Sequence, residues 1–183
     1  MPQKGAVLIN PVSKEKVVFH ETRASTDNEF LKMEAFGLIE GFNETRHIHP
    51  TQHETHTVLD GVMGVEMDGK EYTLRANESI TFPPNVPHKF WNISGDDLHF
   101  ITEFRPAFET EDFIETYIAI AQTGKVNKKG QPPFLQFFVI LNRYPIAGYL
   151  AGPPVFLQKI IISILAFFGR LFGYKGSMKY RFD

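Results

Sequence analysis

From the N-terminus to about Pro106 the chain is cut into short apolar or alternating runs separated by turn residues, a pattern that leaves no room for a long helix. The expected strands are Ala6–Ile9, Lys16–His20, Phe30–Glu40, Thr55–Leu59, Val62–Met67, Lys70–Leu74, Ser79–Phe82, His88–Trp91 and Leu98–Phe104. Short strands closed by tight turns build a sandwich or a barrel. Asp68-Gly69 predicts a two-residue hairpin of type I′, in which both central residues take positive φ. After Pro106 the apolar period changes from two to about 3.6. Thr110 is placed to cap a helix with Glu111 and Asp112 in its first turn and Gly124 beyond its end. Pro132-Pro133 opens a second helix, Phe134–Arg143, and Pro153-Pro154 a third, Val155–Phe172. The expected fold is therefore mainly β, a small antiparallel β-barrel over 1–106, followed by a helical extension over 107–183 packed on the barrel or on a dimer partner.

The chain contains no Cys, which excludes disulfides, thiolate metal sites and cysteine nucleophiles; any metal must use His, carboxylate or water. A net charge of -2 argues against general nucleic-acid binding. Its distribution is uneven: residues 1–123 hold 10 Lys+Arg against 20 Asp+Glu, residues 124–183 hold 9 against the single Asp183. The N-terminal apolar run Ala6–Ile9 is too short for the core of a signal peptide, so a cytoplasmic location is expected. In the third helix the longest uncharged stretch, Ile160–Gly169, is about half of what crossing a bilayer requires. Lys159, Ser163, Ala166 and Arg170 form a narrow polar stripe, leaving Phe156, Ile160, Ile161, Ile164, Leu165, Phe167, Phe168, Leu171 and Phe172 to be covered. The expected cover is the barrel or a homodimer partner. The alternative is peripheral membrane contact through Val155 to Arg181, with Lys175, Lys179 and Arg181 facing anionic lipid.

Of seven histidines, four fall between positions 47 and 56. His47 and His49 are two apart, which in a strand puts both imidazoles on one face. Pro50 bends the chain after them. In the next run strand parity groups Glu54, His56 and Val58 on one face and Thr55 and Thr57 on the other, so an inward Glu54 brings His56 inward. Downstream, Pro83-Pro84-Asn85-Val86-Pro87-His88 is a rigid loop delivering a further histidine, and Phe90 and Asn92 share its parity. Three imidazoles and a carboxylate suit a divalent transition metal, namely Fe, Mn, Ni, Cu or Zn, with coordination positions left open for substrate, water or dioxygen.

These residues resemble the cupin superfamily. Gly41-x5-His47-x-His49-x4-Glu54-x6-Gly61 has every spacing of the first cupin motif, and Asn77-x5-Pro83-x-Asn85-x2-His88-x3-Asn92 that of the second. Asn replaces both glycines of the second motif, and Asn is the side chain that best tolerates the left-handed region. The resemblance covers about Phe30 to Pro106. It implies a double-sheet jelly roll with His47, His49, Glu54 and His88 holding one metal ion inside, and no particular reaction, because cupins host many.

For the residues around this set, His56 is expected to line the cavity as an acid, base or outer-shell group, and His53 to be exposed. His99 and Glu103 are expected on opposite faces of the last barrel strand, so that one reaches the cavity. Lys89 and Trp91 point away from it, His20 is a surface residue without a partner, and Phe36, Leu38, Val58, Phe82, Phe90 and Phe100 wall an apolar cavity. The functional expectation is a mononuclear metal enzyme acting on a small organic molecule, with dioxygenase-type cleavage ahead of isomerisation or decarboxylation. A ligand-binding or sensing module and a membrane-surface protein are the alternatives.

Overall fold

The computed structural model describes residues 1–38 and 44–182, so the motif residue Gly41 and the end of the third expected strand, Ile39 and Glu40, lie outside the described residues. Eleven strands and three helices follow in order: β1 (Val7–Ile9), β2 (Lys16–Glu21), β3 (Leu31–Leu38), β4 (His47–Ile48), β5 (His53–Asp60), β6 (Met63–Met67), β7 (Lys70–Leu74), β8 (Ser79–Phe82), β9 (His88–Asn92), β10 (Leu98–Arg105), α1 (Thr110–Ala121), α2 (Phe134–Arg143), a 3-10 turn (Pro145–Ala147), β11 (Tyr149–Leu150) and α3 (Val155–Leu171). One sheet has the order β1-β2-β3-β10-β5-β8 and the other β11-β4-β9-β6-β7, with antiparallel pairing throughout. The molecule is the expected jelly roll followed by helices. Two strands were not anticipated, β4 and β11, each two residues long and paired with the other, Tyr149 opposite Ile48. Neither carries enough residues to show a period.

The turns behave as their residues dictate. Asp68 and Gly69 take φ of 51° and 77°, and Met67 faces Lys70 across a two-residue turn. Asn77 and Asn85 sit at φ 70° and 63°, the left-handed positions that a glycine would otherwise fill. Thr110 differs from expectation: helix α1 is preceded by Glu109 without a side-chain cap, and the Thr110 hydroxyl instead accepts from Gln52 Nε2 at 2.9 Å.

Alternation along β5, β9 and β10 buries one face of each. Val58, Met63, Val65, Leu74, Phe82, Phe90, Leu98 and Phe100 form the core between the sheets. A second cluster, including Leu8, Phe19, Leu31, Phe104 and Ile118, joins the N-terminal strands to α1. On β3 the inward residues are Leu31, Met33 and Ala35, so Phe36 points outward, stacking on His99 at 4.1 Å under the Lys16 ammonium. Phe36 is therefore not a cavity wall; Leu38 ends β3, and its side chain lies outside the described set.

Helix α3 runs antiparallel to α2 and touches it through small groups. Buried Ala166 and Gly169 lie on that face, and a Cβ on Gly169 would meet Val139 Cγ2 at 2.5 Å and the Leu135 carbonyl at 2.9 Å. Gln158 is tied to both backbone groups of Leu150 at 2.9 Å. Apart from buried Ile162 and half-buried Val155 and Leu165, the large apolar residues of α3 face outward, uncovered by the rest of the described chain. Two substitutions distinguish these environments in a denaturant titration. Phe19→Ala, emptying a fully buried site, is expected to cost about 3–5 kcal/mol, and Phe167→Ala on the outer face of α3 no more than about 0.5 kcal/mol.

Candidate metal centre

The site lies between the two sheets at one end of the core. His47 on β4 is register partner to His88 at the start of β9, and His49 follows β4 directly. Glu54 and His56 come from β5 in the opposing sheet, where Thr55 and Thr57 face outward and bond Thr81 and Ser79 of β8 at 2.9 and 2.8 Å. The second-motif loop is laced to the first: Asn85 N–H donates to the His49 carbonyl at 2.9 Å and its Nδ2 to the Pro50 carbonyl at 3.0 Å.

One ligand atom each from His47, His49, Glu54 and His88 lies within 4.8 Å of the others. The outer nitrogens decide how these rings present themselves. Nδ1–H of His47 donates to the Thr45 carbonyl at 2.9 Å, that of His88 to Val86 at 2.8 Å and that of His49 to Ile146 at 3.2 Å. A carbonyl only accepts, so in each neutral ring the proton is on Nδ1 and Nε2 carries a lone pair turned inward. Nε2 of His49 and of His88 each lie 3.2 Å from Glu54 Oε2, and the Nε2 atoms of His47 and His49 face each other at 3.0 Å. Converging lone pairs beside a carboxylate are stable only with a proton or a cation between them. That donor set fits a divalent cation, and a carbonyl behind each imidazole is the usual device for fixing a ligand's tautomer.

Electrostatics follow from burial. For Glu54 desolvation is outweighed by the imidazoles around it, His56 electrostatically and His49 and His88 through hydrogen bonding, and its carboxyl is held well below the usual carboxylate range. Desolvation takes His47 and His56 down to about 4, against the pull of Glu54, so both rings are neutral at pH 7. His49 runs the other way, because its bond to Glu54 and that charge outweigh its own desolvation.

His56 is inside, as its parity predicts. Nδ1 is 2.9 Å from the Thr102 hydroxyl, Nε2 is 3.3 Å from Glu54 Oε1 without a hydrogen bond, and the ring meets Phe82, Phe90 and Phe100 edge to face. His53 is exposed, and Lys89 and Trp91 lie on the far side of β9, where the Lys89 ammonium sits over the indole at 5.2 Å. His99 and Glu103 do not occupy opposite faces. An interval of four keeps them on one face, the outer one, where His99 pairs with Glu34 at 2.5 Å and Glu103 with Arg105 at 2.6 Å. The inward residues of β10 are Leu98, Phe100, Thr102 and Phe104. His20 also has a partner, the other oxygen of Glu34 at 2.5 Å. Asn92 is buried but serves a turn, accepting from the Ser94 amide at 2.8 Å and donating to the Asp96 carbonyl at 2.9 Å.

Three participants carry no motif. Thr102 was legible only as the polar member of an inward alternation. Glu44 has a buried carboxyl oxygen without a hydrogen bond, 3.7 Å from His47 Nδ1; burial and the charge of Glu54 hold its carboxyl well above the usual range. The third is the segment just before β11. Ile146 supplies the carbonyl behind His49, and Gly148, at φ 105°, sits where a Cβ would crowd the Ile48 carbonyl at 3.0 Å and His47 Cδ2 at 3.1 Å.

Residues 37–103 match the family described as "Cupin domain", so this part of the chain is similar to the cupin superfamily. It is 28% identical over 141 residues to a probable oxidoreductase, virH, of Hypocrea virens, covering 72% of this chain and 64% of that protein. It is 27% identical over 62 residues to a polyketide synthase protein, CurC, of Streptomyces cyaneus, covering 34% and 40% respectively. The chain thus spans less than two thirds of each of these two relatives. Among solved structures it is similar to an RmlC-like cupin from Shewanella frigidimarina, with a TM-score of 0.48 and 20% identity over 61% of this chain and 92% of that one.

Two outcomes follow from this geometry. Gly148→Val is expected to weaken metal binding about 10- to 100-fold by displacing the His47 and His49 rings, with near-unchanged circular dichroism, read by competition with a chelator. In chelated protein, His47 and His56 have folded values near 4, below the ordinary 6.5, so the unfolded chain binds more protons between these limits. Their contribution is complete above about pH 6.5 and lost as pH falls through about 4. Thermal melts should show stability declining over that window, and His56→Gln should make the decline shallower.

Proposed function

We propose that the chain is a mononuclear metal-dependent enzyme acting on a small organic molecule, with oxidative cleavage of the dioxygenase type as its reaction. The observation that carries this reading is the clustering of three inward Nε2 atoms and one carboxylate, those of His49 and His88 3.2 Å from Glu54 Oε2 and that of His47 3.0 Å from that of His49, each imidazole locked from behind by a backbone carbonyl. The relationship to a protein named as a probable oxidoreductase supports the reaction class. His47, His49, Glu54 and His88 would hold the ion, and a bound Fe, Mn, Ni, Cu or Zn would supply Lewis-acid or redox chemistry there.

The remaining roles belong to the chain itself. Phe82, Phe90 and Phe100 keep water from the inner side of the site, and Phe82 stacks on His88 at 4.2 Å to fix its plane. His56, neutral and anchored on Thr102, holds its Nε2 beside Glu54 Oε1, where it sets the carboxylate's orientation and can hold a proton near the reacting centre.

Elemental analysis of the purified protein, followed by oxygen-uptake measurements with a panel of small aromatic and diketone compounds, tests the proposal. Near-stoichiometric metal with substrate-dependent oxygen uptake is the expected result. A His49→Ala/His88→Ala variant should lose the metal while keeping its β circular dichroism; retention of the full metal content would overturn the ligand set. His56→Ala should keep the metal and lower the turnover roughly 10²- to 10⁴-fold, the range of a positioned acid or base. Metal without turnover on any compound would favour the ligand-binding reading.

A further inference from the structure

Helix α3 inverts the usual arrangement of a helix at the surface of a globular protein. Its protein-facing stripe consists of Gln158, Ile162, Ala166 and Gly169, while Phe156, Leu157, Ile160, Ile161, Ile164, Phe167, Phe168, Leu171 and Phe172 are between 44% and 73% exposed. At 100° per residue these nine cover about half the circumference without interruption, with Lys159, Ser163 and Arg170 along one edge. Phe134 at the start of the neighbouring α2 adds a further exposed ring. Small residues at the helix contact and large apolar residues outside are what a lipid-facing helix shows, because dispersion at close approach holds the helices and lipid takes the bulky side chains. A patch of this size exceeds what soluble monomers leave in water. No helix among the described residues is long and apolar enough to cross a membrane.

The charge of the segment that carries this face selects its occupant. Lys125, Lys128, Lys129, Lys159, Lys175 and Arg181 are exposed and form no ion pair among the described residues. They belong to a segment with 9 Lys+Arg and one acidic residue, Asp183. A second copy docked symmetrically through α3 would bring two such segments together, like charge against like, in a two-fold interface where each patch meets itself. An anionic surface complements both features at once.

We propose that α3, with the start of α2, is an interfacial anchor that lies in the surface of an anionic phospholipid membrane, its apolar face in the acyl boundary and Lys159, Arg170 and the other basic side chains of its segment at the headgroups. The face is independent of the metal centre: none of its residues contributes to the histidine cluster. The test is co-sedimentation of the full-length chain with vesicles of phosphatidylcholine alone or mixed with phosphatidylglycerol, alongside light scattering to measure its mass in solution. The expected result is binding to the phosphatidylglycerol vesicles that weakens as salt is raised. Ile164→Ser/Phe167→Ser should reduce that binding at least about tenfold, and Lys159→Gln/Lys175→Gln about tenfold on anionic vesicles only. Metal content and circular dichroism should be unchanged. Equal partition onto both kinds of vesicle, or none onto either, would overturn the proposal. So would a dimer in solution that the serine variant converts to monomer without vesicle binding, since a second copy then covers the face. Should the serine variant fail to fold, the lysine variant and the salt dependence still decide the matter.

Discussion

The carboxylate of Glu54 is the constraint around which the barrel is organised. A buried anion between two apolar sheets is tolerable only if it is surrounded by groups that stabilise charge, and the fold supplies them from both layers. His49 and His88 reach Oε2 at 3.2 Å from one side, and His56 stands 3.3 Å from Oε1 on the same strand as Glu54 itself. Each of these rings has its other nitrogen satisfied, by Ile146, Val86 and Thr102 respectively. The polar cluster therefore has little freedom to rearrange, and neighbouring aromatic rings, Phe82 on His88 and Phe104 against His49, fill the remaining space. Such a network suits a cation better than it suits a proton, since three inward lone pairs and one negative charge are more than a single proton satisfies.

The helical extension is part of this site rather than an appendage to it. The chain leaves α2 through buried Tyr144, turns at Pro145–Ala147, places a carbonyl behind His49, and adds β11 to the edge of β4 before α3 begins. The final segment then returns across α1, where Lys179 pairs with Glu115 at 2.8 Å and Tyr144 donates to Ser177 at 3.0 Å. One surface of the extension thus completes a metal-type cluster while the opposite surface of α3 stays apolar and uncovered. The exposed apolar side chains of the segment are concentrated on the outer face of α3, while α1 is buried against the rest of the chain.

What the sequence determined by itself were features carried by short-range geometry. The two-residue spacing of His47 and His49, the parity that turns Glu54 and His56 to one face, the hairpin at Asp68-Gly69 and the left-handed asparagines Asn77 and Asn85 all follow from backbone stereochemistry over a few residues. The same reasoning, applied to β3 and β10, goes wrong where parity is miscounted or unanchored: His99 and Glu103 share the outer face, and Phe36 lies there with them. Only the tertiary structure decided which backbone carbonyl stands behind His49, because Ile146 lies 97 residues away in a segment without a motif. It alone showed that Glu34 gathers both His20 and His99, and that a Cβ at Gly148 would crowd the Ile48 carbonyl and the His47 ring. The face by which α3 packs was equally hidden, since apolar periodicity predicts that the large residues go inward, and here the packed stripe is Gln158, Ile162, Ala166 and Gly169, with Gly169 at the closest approach to α2. Local rules act along the chain, whereas these contacts depend on which distant surfaces meet.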